Sequence, residues 1–225
     1  MVRIEYESAN AAGKGVGYLE GESTKGVVVI QEWWGANQEI KDLATRWFPT
    51  DEFKTLVPDL YRGKEAIDHE EAGHLMDGLD WPGAIEDIRG AVRYLKNNGC
   101  TKVGIVGFCM GGALTLASSV LIDEADACSV FYGIPGAALA DPAKQGVKCP
   151  LLLNFGDADS LEGFSSPADV GKLTQAMQEA NVQFTLHTYP GCEHAFCRQE
   201  GPNYNAEQCA IAKARTLDFF NTHLN

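Results

Sequence analysis

The sequence predicts a mostly parallel α/β fold, a central sheet with helices on both faces. Three observations carry the prediction. Runs rich in Val, Ile and Leu recur along the chain and are apolar without alternation, the pattern of strands buried on both sides. Between most of them lie segments whose apolar residues fall three and four apart, the period of a helix lying on such a sheet. No internal repeat, low-complexity tract or Pro/Ser-rich linker interrupts the 225 residues, so one domain over residues 1–225 is expected.

Taken in order, two short runs at 4–6 and 16–19 suit an antiparallel edge of the sheet. Strands are expected at 26–32 (GVVVIQE), 53–59 (FKTLVPD), 102–108 (KVGIVGF), 127–132 (ACSVFY), 150–155 (PLLLNF) and 182–188 (VQFTLHT). Helical spacing marks 40–48, 80–96, 168–179 and 206–220, and a further helix opens at the glycines after Cys109. Residues 63–80 form the one long insertion, acidic and partly helical, suited to one wall of a pocket.

Composition narrows the function. Lys plus Arg is 18 against 31 for Asp plus Glu, a net charge of −13, and such a field repels phosphate backbones and anionic membranes. Nucleic acid and membrane surfaces are therefore not expected partners, and an anionic substrate would need a local cation. The N-terminus MVRIEYESAN has no apolar signal core, and no apolar run approaches the ~20 residues of a membrane span. Seven cysteines, odd in number and without a CxxC pair, fit free thiols in a reducing compartment, so a cytoplasmic location is expected.

Gly107-Phe108-Cys109-Met110-Gly111 stands between a strand-like run and a helix-like one. A sharp strand-to-helix turn holds its central side chain exposed at strained dihedrals, and only glycine lets the neighbouring backbone pass. A thiol there sits at a helix N-terminus, where the dipole favours a thiolate and free N–H groups can cradle an oxyanion, Met110 N–H first among them. A lone cysteine after a strand is more often a packed core residue. The glycines around Cys109 favour a nucleophile.

Such an elbow calls for an acid and then a histidine after later strands. PLLLNFGDADS supplies Asp159, with Asp157 as the competing choice, and FTLHTYPGCEHAF supplies His194. His69 and His74 are five apart, off the spacing that sets two ligands on one helix face, so neither metal nor organic cofactor is expected.

VVVIQEWWGAN, LVPDLYRGK, VGFCMGGAL, FGDADS and YPGCEHAFCR, in that order, make the chain similar to the dienelactone hydrolase (carboxymethylenebutenolidase) family of α/β-hydrolases over nearly its whole length. The resemblance implies an α/β-hydrolase fold and a triad of Cys109, Asp159 and His194. It implies Glu32 as the acid beside the resting thiol, drawing its proton when substrate binds, and Trp33 N–H as the partner of Met110 N–H in the oxyanion hole. It implies Arg198 as a cation for a substrate carboxylate. The family's second such arginine falls at His69, with Arg62 as a stand-in.

The expected activity is cleavage of a small ester or lactone, with a carboxylate on the substrate, through an acyl-cysteine. A monomer or weak homodimer is the expected assembly. The competing reading keeps the fold without catalysis and makes Cys109 the thiol of a ligand or redox sensor.

Overall fold

The computed structural model describes residues 1–225. Its strands are β1 (Val2–Tyr6), β2 (Gly15–Glu20), β3 (Lys25–Ile30), β4 (Lys54–Pro58), β5 (Lys102–Phe108), β6 (Ala127–Phe131), β7 (Leu151–Gly156) and β8 (Thr185–Tyr189). Its helices are α1 (Gln38–Trp47), α2 (His69–Asp77), α3 (Trp81–Asn97), α4 (Met110–Leu121), α5 (Pro142–Gln145), α6 (Pro167–Glu179) and α7 (Ala206–His223).

All eight strands join one sheet in the order β1-β2-β4-β3-β5-β6-β7-β8. The pairs β1/β2 and β2/β4 are antiparallel, and every later pair is parallel. The antiparallel edge is where the two short opening runs were expected. The inner strands carry the unalternating runs: β6 and β7 are buried at every position, and β3 and β5 at all but their first.

Helices cover both faces, and the parity of β5 shows it. A Cβ on Gly104 would strike Phe220 of α7, whereas one on Gly107 would strike Gly111 and Thr115 of α4. Residues three apart on a strand point to opposite faces. On one side α1 meets α7 through Phe48 and Phe220, with ring centroids 5.9 Å apart. On the other, α3 packs beside α4.

Helix starts follow capping chemistry. Asn37, Asp68, Asp80, Ser166 and Asn205 each accept a hydrogen bond from a backbone N–H of the first turn they precede. The α4 start has no side-chain cap; Cys109 stands in that position.

Two strand boundaries and one short helix depart from the sequence expectation, each for a local reason. The strand expected from 182 begins at Thr185, because Asn181 turns left-handed (φ 58°) and Val182 N–H closes the end of α6 on Met177 O at 2.9 Å. The strand expected through 32 ends at Ile30, and the buried Gln31 instead accepts a hydrogen bond from Leu60 N–H. The four-residue α5 was not foreseen, being too short for a periodic signal.

Candidate active site

The parallel strands end on one side of the sheet, and their following loops bring together residues far apart in sequence. Cys109 leaves β5 at φ 55° and ψ −118°, a conformation strained for any residue but glycine. The glycines around it are close-approach positions. A side chain at Gly107 would collide with Gly111, and one at Gly111 with the carbonyls of Gln31 and Ile30. The helix start is thereby pressed against the end of β3, where Trp33 follows. Neither Trp33 N–H nor Met110 N–H donates a hydrogen bond within the protein, which leaves both open to an incoming oxygen.

Between Asp157 and Asp159 the geometry is one-sided. Asp157 accepts from Gly191 N–H at 2.6 Å, tying the loop after β7 to the exposed turn after β8 rather than facing the imidazole. Asp159 is 2% exposed; its Oδ2 lies 2.9 Å from His194 Nδ1, and its Oδ1 accepts from Leu161 N–H at 3.0 Å. His194 Nε2 then lies 3.1 Å from Cys109 Sγ, completing an acid–imidazole–thiol chain. Burial alone would lower the imidazole's proton affinity, but its hydrogen bonds to Asp159 and Cys109 and their charges outweigh it, and His194 is pushed up to about 10.

Glu32 lies at the same end of the sheet, where the resemblance puts it, but its hydrogen-bond partner is not the thiol. Tyr132 O–H donates to Glu32 Oε1 at 3.2 Å, while the thiol is paired with His194. Burial pushes the Glu32 carboxyl up to about 7 against the pull of His194, Arg198 and the Tyr132 hydrogen bond, and the Glu39 charge adds to the rise.

Arg198 also reaches the site, though not as the free cation the sequence suggested. Its Nε donates to Glu39 Oε2 at 2.9 Å and lies 3.8 Å from Glu32 Oε2, with the guanidinium 4.2 Å over the Trp34 ring. Arg62, the stand-in for a second cation, is paired elsewhere. Its Nη2 donates to both oxygens of buried Asp87, at 2.9 and 2.8 Å, and Arg62 does not line the cavity over Cys109. His69, at the start of α2, does line the pocket and meets Trp33 and Trp34 edge-on at 5.8 and 5.0 Å. The insertion thus forms a wall, as its position suggested.

These residues enclose a cavity of about 390 Å³ over Cys109, with Trp33, Trp34, Met76, Leu161, Phe164 and Pro202 supplying most of its apolar surface. No group of three or more His, Cys, Asp or Glu side chains is close enough to hold a metal ion. No helix is long and apolar enough to cross a membrane.

Sequence reasoning missed Tyr132, Ser165 and Glu39. Tyr132 closes a strand-like run, and its fully buried ring sits 5.1 Å from that of His194. Ser165 Oγ lies 3.1 Å from His194 Nδ1, with nothing in the sequence to single it out. Glu39 reads as an ordinary acid in a helix first turn.

Comparison with known proteins gives the family and the fold. The sequence model of the dienelactone hydrolase family matches residues 16–224. Carboxymethylenebutenolidase from Pseudomonas putida is 30% identical over 210 residues, covering 86% of this chain and 84% of its own. Protein usf from Aquifex pyrophilus is 30% identical over 212 residues, covering 88% of each chain. Among solved structures, a dienelactone hydrolase assigned from Klebsiella pneumoniae superposes with a TM-score of 0.80 at 22% identity, covering 98% of this chain and 99% of that one. A dienelactone hydrolase-like promiscuous phosphotriesterase from metagenomic libraries gives 0.81 at 20% identity, covering 100% and 99%, and at that distance the likeness speaks for the fold. With an α/β-hydrolase sheet, a strained elbow and a family match over nearly the whole length, the chain belongs to the dienelactone hydrolase family of ester and lactone hydrolases.

Proposed function

We propose that the protein hydrolyses a small ester or lactone through an acyl-cysteine intermediate on Cys109. The observation that carries this reading is the chain from Asp159 through His194 to Cys109, with contacts of 2.9 and 3.1 Å, at a positive-φ elbow. His194 Nε2 takes the thiol proton, and the Sγ electron pair attacks the carbonyl carbon. Asp159 keeps the imidazole oriented and balances its charge. Trp33 and Met110 N–H donate to the oxyanion that forms.

Collapse of this intermediate breaks the C–O bond, and the leaving alkoxide takes the proton from His194. In a lactone the alkoxide stays tethered, so the first product is a ring-opened thioester. Water, deprotonated by His194, then attacks the thioester carbonyl; the C–S bond breaks, Cys109 recovers its proton and the acid departs. Glu32, whose carboxyl changes charge near neutral pH, biases the Cys109–His194 pair through its field. No step calls for a metal or organic cofactor.

Quenching a reaction with an activated ester in acid and reading intact mass tests the pathway. An adduct equal to the acyl group, transient, confined to Cys109 and absent from Cys109→Ala, is the expected result. Turnover by Cys109→Ala at the wild-type rate overturns the assignment, and a stable adduct without turnover identifies a sensor thiol instead.

A further inference from the structure

We propose that Glu39 sets the substrate class: it occupies Arg198 as a built-in carboxylate, so the site takes esters and lactones whose acyl part is uncharged. The proposal rests on the acyl-cysteine reading above and goes beyond it by choosing among substrates. Arg198 is the only Lys or Arg in the wall of the cavity over Cys109, and in a chain of net charge −13 it is the natural anchor for an anionic substrate.

That anchor is already engaged. Glu39 projects from the first turn of α1, its side chain 11% exposed, and both its oxygens are held. Oε2 accepts from Arg198 Nε at 2.9 Å, and Oε1 accepts from Glu200 N–H at 3.0 Å. The carboxylate thus clasps the loop that follows His194 to α1, with the guanidinium fixed over Trp34. Glu32 Oε2 stands 3.8 Å from the same Nε.

A substrate carboxylate would be a third acid around one guanidinium. In a partly buried site, where charges are screened weakly, the neighbouring acids repel it and offset the attraction of the one cation. The rise in the Glu32 carboxyl comes mainly from burial, with Glu39 adding a smaller push against the larger pull of His194 and Arg198. The other walls suit a neutral acyl group: Trp33, Trp34, Met76, Leu161 and Phe164 present aromatic and aliphatic surface. His69 meets both tryptophans edge-on and adds aromatic surface to the same wall.

The experiment compares a matched pair, 4-nitrophenyl hexanoate and the mono-4-nitrophenyl ester of adipic acid, which differ by a terminal carboxylate. The wild type is expected to favour the neutral ester by about tenfold or more in kcat/KM. Glu39→Gln keeps an acceptor for Glu200 N–H while removing the charge, and is expected to move the ratio at least about tenfold toward the adipate ester, mainly through KM. Adding Arg198→Met to Glu39→Gln is expected to cancel that gain. Because the ratio compares two substrates on one enzyme, a general loosening of the loop divides out.

A wild type that favours the adipate ester overturns the proposal whether or not the variants fold. An unmoved ratio in a folded Glu39→Gln, or a gain that survives loss of Arg198, overturns it too. Failure of the underlying chemistry looks different: both esters would then be cleaved by Cys109→Ala.

Discussion

At the scale of the residue, two acids two positions apart have opposite roles because one faces the imidazole and the other holds the turn after β8 through Gly191 N–H. Asp159→Asn leaves the shape but can no longer balance an imidazolium, and it can stabilise the wrong tautomer. A fall in kcat of roughly 10⁴-fold is expected, by analogy with other triads. Asp157→Asn keeps an acceptor for Gly191 N–H and is expected to retain activity within a few-fold. Steady-state kinetics on one ester decides between them, and the reverse pattern would move the acid to Asp157. Tyr132 shows how a residue without a sequence signal enters the site. Burial and the neighbouring Glu32 charge hold its phenol well above the ordinary range, so it stays a proton donor to that carboxylate.

At the scale of the element, the site depends on how firmly the loop between β8 and α7 is held. Phe196, two residues after His194, is fully buried among Phe131, Tyr132 and Tyr189, with ring centroids 6.4, 5.5 and 5.0 Å away. Asn203 Nδ2 donates to His194 O at 3.0 Å, and Asn205 N–H donates to Phe196 O at the same distance. Phe196→Ala leaves a cavity beneath the catalytic loop, and a cost of about 3–5 kcal/mol is expected in urea unfolding. A lower kcat is expected with it, because His194 loses its fixed distance to Cys109. An unchanged kcat in a destabilised variant would show that the two asparagine contacts suffice to hold the loop.

At the scale of the whole molecule, stability follows pH through the same buried groups. The Glu32 carboxyl binds its proton more tightly folded than unfolded, so stability is highest below the unfolded pKa of 4.5 and falls as pH rises to about 7. His194 has the same sign: its contribution is fully present below 6.5 and is lost as pH rises toward about 10. Carboxylates paired to lysine, such as exposed Asp123 and half-buried Asp141, act oppositely and only in acid. Chemical denaturation from pH 4 to 10 is therefore expected to show a maximum near pH 5 and a decline beyond it. Glu32→Gln is expected to flatten the pH 5–7 part, on the order of 3 kcal/mol in the wild type. An unaltered slope in that variant would mean that another group titrates there.

The sequence by itself determined the sheet's buried strands and its helical cover, and it singled out Cys109 and His194 as candidates while leaving Asp159 and Asp157 as alternatives for the acid. Unalternating apolar runs and three-and-four spacing are local patterns, and the elbow's glycines are required by a local turn. Strand ends at Ile30 and Thr185 were less legible, because Gln31 and Val182 are claimed by hydrogen bonds to Leu60 and Met177. Only the tertiary structure decided which charges meet. Glu39 lies 159 positions from Arg198 and Tyr132 lies 100 from Glu32, and no periodicity or spacing links such pairs. Their partnership arises because parallel strands deliver the loops after β3, β6 and β8 to one end of the sheet. There burial makes every unpaired charge costly, so each finds the nearest counter-charge or hydrogen bond, whatever its distance along the chain.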